Sequence, residues 1–521
     1  MDTNPDYIVI GSGVCAFAFV KRTLAHNPIA RITIIERGGI LLEDHFQNVA
    51  PTLGPKLAEL VEFRPWRIST SQSQTSLGGF QWQHGIIPYL GGESTFWSGW
   101  CPRPTAMELG RWPTRMAEAA RRNFEAAENL LGVVSADRLQ HPLYSTMQRA
   151  LQKMLMDNLS EIGSAESCSP AALAVGLGSH LAKFSVPTRL LRLATHKEPI
   201  TTQGPCVPLH LLTNRTVTRL ILEGSRVTAL DTSRGRIEAK GAEIVLAIGT
   251  IPATTLLLNS LPQPHLAGTR YTAHFTSLIV ARVPRREYAF GCRLDELEMA
   301  AIYVSGGTDA VARAEYHVQL TVLHDRDPIR NAETLARYVP DPMATATLPQ
   351  LAQSTDHLVF IVAVLGELDN NNPDNCLRLV EGADLSTNVA LSVHANDQDY
   401  RTWQAMDQAA FEMLENALSP RGRSRVEYWH GTPDAGSWQR ARPVPQQRRL
   451  PGLVHEASTL WVGEADDGVV GLDYRPQCLE NVYVTGGSLW PTAGSFNPTL
   501  TMVALAQDLA DQLSRRRLKQ S

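Results

Sequence analysis

Short unbroken apolar runs alternate along this chain with stretches of helical period. The first is DYIVI at residues 6–10. GSGVCA at 11–16 follows, then FAFVKRTLAH, then a second run, RITIIE, at 31–36. Runs this short, bounded by glycine, read as strands buried on both faces. The opening is therefore strand–turn–helix–strand in about thirty residues, with an acid at its end. RMAEAARRNFEAAENLLGV and HPLYSTMQRALQKML read as helices. Between 208 and 249 the pattern turns to strands: VPLHLLTN, TVTRLILEG, RVTALDTS, RIEAK and AEIVLAIGT. From about 270 to 400 the runs are again short and strand-like (TSLIVARVP, YHVQLTVLH, LVFIVAVLG, NVALSVHA), with a turn at ELDNNNPDN and a helix at DYRTWQAMDQAAFEMLENAL. The last apolar stripe, Met502, Leu505, Leu509 and Leu513, has helical spacing. Asn497 and Pro498 just before it suit the N-cap and the first helical position. No internal repeat or low-complexity block interrupts the chain.

Composition narrows the class. At 521 residues and 43% apolar content the chain is globular and long enough for more than one core. A net charge of −4 and a pI near 6.4 give no reason to expect nucleic acid or an anionic membrane as partner. The basic end, SRRRLKQS, reads as a solvated tail. Seven cysteines (Cys15, Cys101, Cys168, Cys206, Cys292, Cys376, Cys478) are scattered and form no C-x-x-C pair, which argues against a zinc site and a disulfide framework. No His, Cys, Asp or Glu group has metal-ligand spacing. The N-terminus has neither a basic segment nor a long apolar one, and no run of about 18 apolar residues occurs, so a soluble, cytoplasmic protein is the expectation.

Gly11, Gly13 and Ala16 fit G-x-G-x-x-A. The first glycine permits a tight turn, the second lets backbone N–H groups approach a pyrophosphate at a helix N-terminus, and the small third residue lets helix and strand pack. Glu36 ends the second strand about twenty positions on, where an acid accepts hydrogen bonds from ribose hydroxyls. Strand, turn, helix and acid together predict dinucleotide binding. A bare βα turn is the plainer alternative, and the motif does not separate FAD from NAD.

The C-terminal part separates them. LVHEASTLWVGEADDGVVGLDYRPQCLENVYVTGGSLWPTAGSFNPTLTMVALAQDLADQL closely resembles the end of the glucose–methanol–choline (GMC) family of flavin oxidoreductases. An H-x-x-G-T-like segment (His455 to Thr459), a strand, G-S-x-x-P-T (Gly487 to Thr492) and Asn497 before the last helix appear in family order. AEIVLAIGTIPATTLLLNS resembles the second family signature, NRTVTRLI the strand that lays Val217 on adenine, and DNCLRLVEGADLSTNVALSVHA part of the substrate domain. GGESTFWSGWCPRP (Gly91 to Pro104) resembles the flavin-contacting loop, most nearly that of the pyranose oxidase branch.

The resemblance implies an α/β plus α+β fold similar to that of p-hydroxybenzoate hydroxylase. A Rossmann-type FAD domain would be assembled from residues 1–104, 201–265 and 455–521. A substrate domain with a mainly antiparallel sheet would hold 266–454, with 105–200 inserted on its side. It implies His455 as the base that takes the hydroxyl proton, since a neutral imidazole suits that task, and Asn497 as its partner on the substrate oxygen. It implies FAD contacts from Gly11, Gly13, Val14, Cys15 and Ala16, from Glu36 and Arg37, and from Gly92, Ser94, Thr95 and Ser98. Further contacts would come from Val217, Ala247, Gly249, Gly487, Ser488, Pro498 and Thr499. The last helix would start under the flavin pyrimidine edge, where its N–H groups favour negative charge.

Four positions depart from the family pattern. Ser458 stands for a usual Gly, Val462 for a common Met and Gly486 for a frequent Asp; these leave the substrate class open. Phe96 stands where pyranose oxidases have the His that bonds FAD, so the flavin is expected to be non-covalent. His430 reads as a surface-loop residue, with a place lining the pocket as the alternative, and of Trp97, Trp100, Trp429 and Trp490 one or two are expected to wall the pocket. The expected partners are a small-molecule alcohol (a sugar, a polyol or a specialised-metabolite alcohol) and an electron acceptor, oxygen or another. Alternatives are an FAD-containing lyase similar to hydroxynitrile lyases, a catalytically silent flavin-binding protein, and an NAD-dependent dehydrogenase.

Overall fold

A computed structural model describes residues 4–49, 86–175, 181–195, 209–261, 266–290, 297–307, 315–382, 384–464 and 467–520, and the backbone of a strand at Gln72–Thr75. The expected boundaries at 200/201 and 265/266 touch residues outside those described.

The opening pattern folds as a strand at Tyr7–Ile10, a helix at Val14–His26 and a strand at Ile32–Ile35. Tyr7–Ile10 is buried along its whole length because it lies inside a five-stranded sheet. The strand order is Val482–Val484, Glu243–Leu246, Tyr7–Ile10, Ile32–Ile35, His210–Leu212, and every pair is parallel. Three chain segments, N-terminal, central and C-terminal, thus build one sheet. A three-stranded antiparallel sheet (Val217–Glu223, Arg226–Thr232, Ile237–Glu238) sits beside it in sequence.

The remaining large sheet is antiparallel. Its order is Gly436–Gln439, Glu427–Gly431, Thr272–Pro284, His357–Glu367, Glu315–His324, Glu298–Gly307, Ala165–Pro170, and Arg449–Ala457 also pairs with Thr272–Pro284. Glu298–Gly307, Glu315–His324 and His357–Glu367 are buried almost end to end, since helix Asp397–Glu412 packs on the same core cluster.

Block 105–200 is divided rather than placed wholly on one side. Its helix Thr114–Leu131 packs on the last helix, Thr499–Gln520, in the core of the parallel sheet. Its strand Ala165–Pro170 edges the antiparallel sheet instead. The helix is amphipathic, with Met116, Ala117, Ala120, Phe124, Ala127 and Leu131 on one buried face, and that face needs a helical partner. The solvated-tail reading of the basic end is corrected. The helix continues to Gln520, and Arg516 and Arg517 are docked. Arg516 reaches the Tyr483 hydroxyl and Asp473, and Arg517 lies over the Tyr7 ring and pairs with Asp6. Among the described residues no helix is long and apolar enough to cross a membrane.

Candidate active site

A cavity of about 680 Å³ runs between the parallel sheet and the antiparallel sheet. One end is the glycine turn. Gly11 has φ +95°, and a Cβ there would stand 2.3 Å from the Ala247 carbonyl oxygen, so this close strand approach requires glycine. Gly13, Gly249 and Gly486 also line the cavity, and a Cβ at any of them would meet nothing within 4 Å. Their backbone is therefore bare toward the cavity, the cradle that a pyrophosphate needs. Glu36 lines the same end. It accepts from Ser12 Oγ at 2.5 Å and from the Gly38 N–H at 2.9 Å, and burial raises its pKa while those bonds oppose the shift.

The other end holds His455. It lies on Arg449–Ala457, whose pairing with Thr272–Pro284 slips between Thr272/Ala457 and His274/Val454. His455 has φ +65° inside this irregularity. A bulge with one left-handed residue breaks the in–out alternation of a strand and re-aims a side chain, and His455 faces the cavity. Its Nδ1 is 2.9 Å from Nδ1 of His274, with the rings edge to face at 4.9 Å. Burial, then the neighbouring His274 and His317, hold the His455 pKa well below the usual value. His455 is consequently neutral near pH 7, the form that accepts a proton.

Asn497 also lines the cavity, and it is not a helix cap. The helix begins at Thr499, and the Asn497 amide oxygen accepts from Gln319 Nε2 at 2.6 Å and from the Tyr303 hydroxyl. The N-cap expectation is corrected on this point: two buried donors on the antiparallel sheet compete for the same oxygen. Gln319 in turn sits 3.3 Å from His317 Nε2, and the Phe496 ring lies nearly parallel to Tyr303 and His317.

A buried acid cluster fixes the loop before Asn497. Glu108 accepts from the Ser495 N–H and hydroxyl, and Glu367 accepts from the Ala493 N–H at 2.6 Å. Arg111 lies 3.5 Å from Glu367 and 3.7 Å from Glu315. Burial pushes all three carboxyls up to about 7.

Gly11, Gly13, Val14, Cys15, Glu36, Arg37, Gly92, Ser94, Ser98, Val217, Ala247, Gly249, Gly487, Pro498 and Thr499 all line this one cavity. Ala16, Thr95 and Ser488 do not; they are buried behind it. Thr95 Oγ1 donates to the Gly92 carbonyl instead. Trp97, Trp100 and Trp490 line the cavity, whereas Trp429 stacks edge-on with Trp438 away from it. The loop position expected for His430 is corrected: it lies on the strand Glu427–Gly431, paired with Ser437, and bonds the Ala441 carbonyl outside the cavity. Phe96 lines the cavity and packs on Phe46. Ser458 has φ +66°, the left-handed region, which explains a glycine preference there.

Sequence reasoning missed His274, His317, Gln319 and Tyr303. Their signal was a polar residue in an otherwise buried strand: His274 in TAHF, and His317 and Gln319 two apart, hence on one face. Among the described residues no group of three His, Cys, Asp or Glu could hold a metal ion.

Residues 372–506 match the family model described as GMC oxidoreductase. That match holds both His455 and Asn497 and spans the strand that bulges at His455. A likeness in fold to one solved structure extends over the rest of the chain. Pyridoxine 4-oxidase from Mesorbium loti superposes with a TM-score of 0.61, covering 98% of this chain and 99% of that one at 15% identity. No curated protein matches the chain.

Proposed function

We propose that this protein is an FAD-dependent oxidoreductase acting on a CH–OH group of a small molecule: a sugar, a polyol or a specialised-metabolite alcohol. The observation that carries the reading is that one cavity joins the bare glycine turn and Glu36 to His455 and Asn497. The residues fit the cofactor. Gly11–Cys15 would hold the pyrophosphate, Glu36 the ribose and Val217 the adenine. Bound FAD supplies a hydride acceptor. His455 takes the hydroxyl proton of the substrate, and its neighbours keep it ready by holding it neutral. Asn497, its amide oxygen occupied by Tyr303 and Gln319, offers its N–H to the substrate oxygen. Trp97, Trp100 and Trp490 wall the site against water. Phe96 has no nucleophilic nitrogen, so the flavin would be held without a covalent bond there. An electron acceptor, oxygen or another, would be its second partner.

The test is the purified protein under anaerobic conditions with a panel of alcohols. Bleaching of a flavin band that acid denaturation releases to the supernatant supports the proposal. A protein without flavin, or a flavin that no alcohol bleaches, contradicts it; the second result would favour lyase or silent binding.

A further inference from the structure

A base must present a bare nitrogen, and an imidazole has two. Which nitrogen of His455 carries the proton decides whether it can act, and that is set by the group bonded to the other one. Nδ1 of His455 and Nδ1 of His274 are 2.9 Å apart. Two bare nitrogens would repel at that distance and two N–H groups would collide, so one donates and the other accepts.

The surroundings choose between the two arrangements. His274 is fully buried on the central strand Thr272–Pro284. Its Nε2 is buried with no hydrogen-bond partner of normal geometry. If His274 donated through Nδ1, its Nε2 would be a bare lone pair in a buried site with no donor. If His274 accepts at Nδ1, its proton sits on Nε2, beside the backbone of Ala493 and Gly494. That backbone works to raise the His274 pKa, as carbonyls facing an N–H do, although burial outweighs it and brings the pKa down to about 4. Neither arrangement gives Nε2 a hydrogen bond of normal geometry, but only the second turns an N–H rather than a bare lone pair toward that backbone, which Glu367, opposite His274 in the sheet, holds by the Ala493 N–H. The second arrangement leaves His455 protonated on Nδ1. The other ring nitrogen of His455, Nε2, has no hydrogen-bond partner among the described residues, and the residue lines the cavity.

We propose that His274 is a positioning residue: it accepts a hydrogen bond from His455 Nδ1–H and so holds His455 in the tautomer whose Nε2 is free to take a proton. His317, edge-on to His274 at 6.4 Å, and the backbone at 493–494 close the rear of this relay. His274 does not line the cavity; it acts through His455. The inference rests on the functional reading above for the use of the base, and on geometry alone for the tautomer.

The experiment is a long-range proton–nitrogen NMR spectrum of the protein as purified, labelled with nitrogen-15 at histidine. The His455 signals are assigned by their loss in His455→Gln. The expected result is a neutral His455 with its proton on Nδ1. A proton on Nε2 would overturn the proposal without any variant being made. His274→Phe keeps the ring and removes the acceptor, and is expected to release His455 from that tautomer. His274→Asn places an amide oxygen near the lost Nδ1 and is expected to restore it. A His274→Phe protein that retains the Nδ1–H tautomer, or a His274→Asn protein that loses it, would also refute it. Flavin reduction by a bleaching alcohol is expected to slow in the Phe variant by no more than the loss of His455 itself, roughly 10²–10⁴, and to recover in the Asn variant. Absence of any bleaching alcohol would defeat the functional reading and leave the tautomer result standing.

Discussion

Replacing Glu367 with Gln gives a stability change that depends on pH in a defined direction. The carboxyl is nearly enclosed. It accepts the Ala493 N–H, has one guanidinium 3.5 Å away and shares its surroundings with Glu315. Burial raises its pKa from 4.5 to about 7 in the folded protein, with Arg111 and the backbone opposing and Glu315 adding. A carboxyl with a raised folded pKa binds its proton more tightly when folded. Its contribution is fully present below about 4.5 and is lost as pH rises to about 7. Integrating the linkage between pH 5 and pH 8 gives a loss of about 2.5 kcal/mol from this one group. Gln keeps the oxygen that accepts from Ala493 and cannot ionise. The stability of Glu367→Gln relative to wild type is therefore expected to rise by about 2.5 kcal/mol between the two pH values, read from urea unfolding at each. The difference between proteins matters, because the buried histidines contribute with the opposite sign: a pKa held below the usual value makes stability increase with pH. An identical difference at pH 5 and pH 8 would show that Glu367 ionises as it does in water, and the enclosed acid cluster would be misread.

Other expectations concern the loop and the turn. Ser458→Gly is expected to stabilise by about 1 kcal/mol, as release of a left-handed residue (~1–2 kcal/mol) and loss of a buried unbonded hydroxyl outweigh the added chain entropy; a lower urea midpoint would refute this. Asn497→Ala leaves the Tyr303 and Gln319 donors unpaired, at ~1–3 kcal/mol each, more than a lost cap would cost. Asn497→Asp keeps both bonds yet, on the proposed reading, would set a negative charge where reduced flavin would become anionic, so stability is expected to hold and flavin reduction to fall strongly; an Asp variant as fast as wild type contradicts this. Gly13→Ala adds a methyl to open space at φ −72°. The melting point of the flavin-free protein is expected to stay the same while flavin content drops, and full flavin occupancy would show that nothing approaches that backbone.

The sequence made one class of feature legible and hid another. Tyr7–Ile10 and Ile32–Ile35 were readable because buried parallel strands are continuous apolar runs and a local glycine pattern joins them. His455 and Asn497 were readable because each lies in a local motif. His274, His317, Gln319, Tyr303 and Glu367 carry no such motif. Each is a polar side chain in a strand that otherwise reads as core, and the partners that give the group its role, His455, Asn497 and Ala493, lie far along the chain. The placement of Thr114–Leu131 was hidden for the same reason: an amphipathic stripe demands a partner but does not name one. The Asn497 side chain looked like a cap because capping is local, and tertiary bonds to Gln319 and Tyr303 overrode it.

The central claim is that His455 removes a proton from an alcohol as the flavin is reduced. Anaerobic stopped-flow reduction of the wild-type protein and of His455→Gln, both loaded with flavin, tests it most directly. The account predicts equal flavin content in the two proteins and a rate of reduction lower in the variant by roughly 10²–10⁴. Equal rates of reduction at equal flavin content would contradict it.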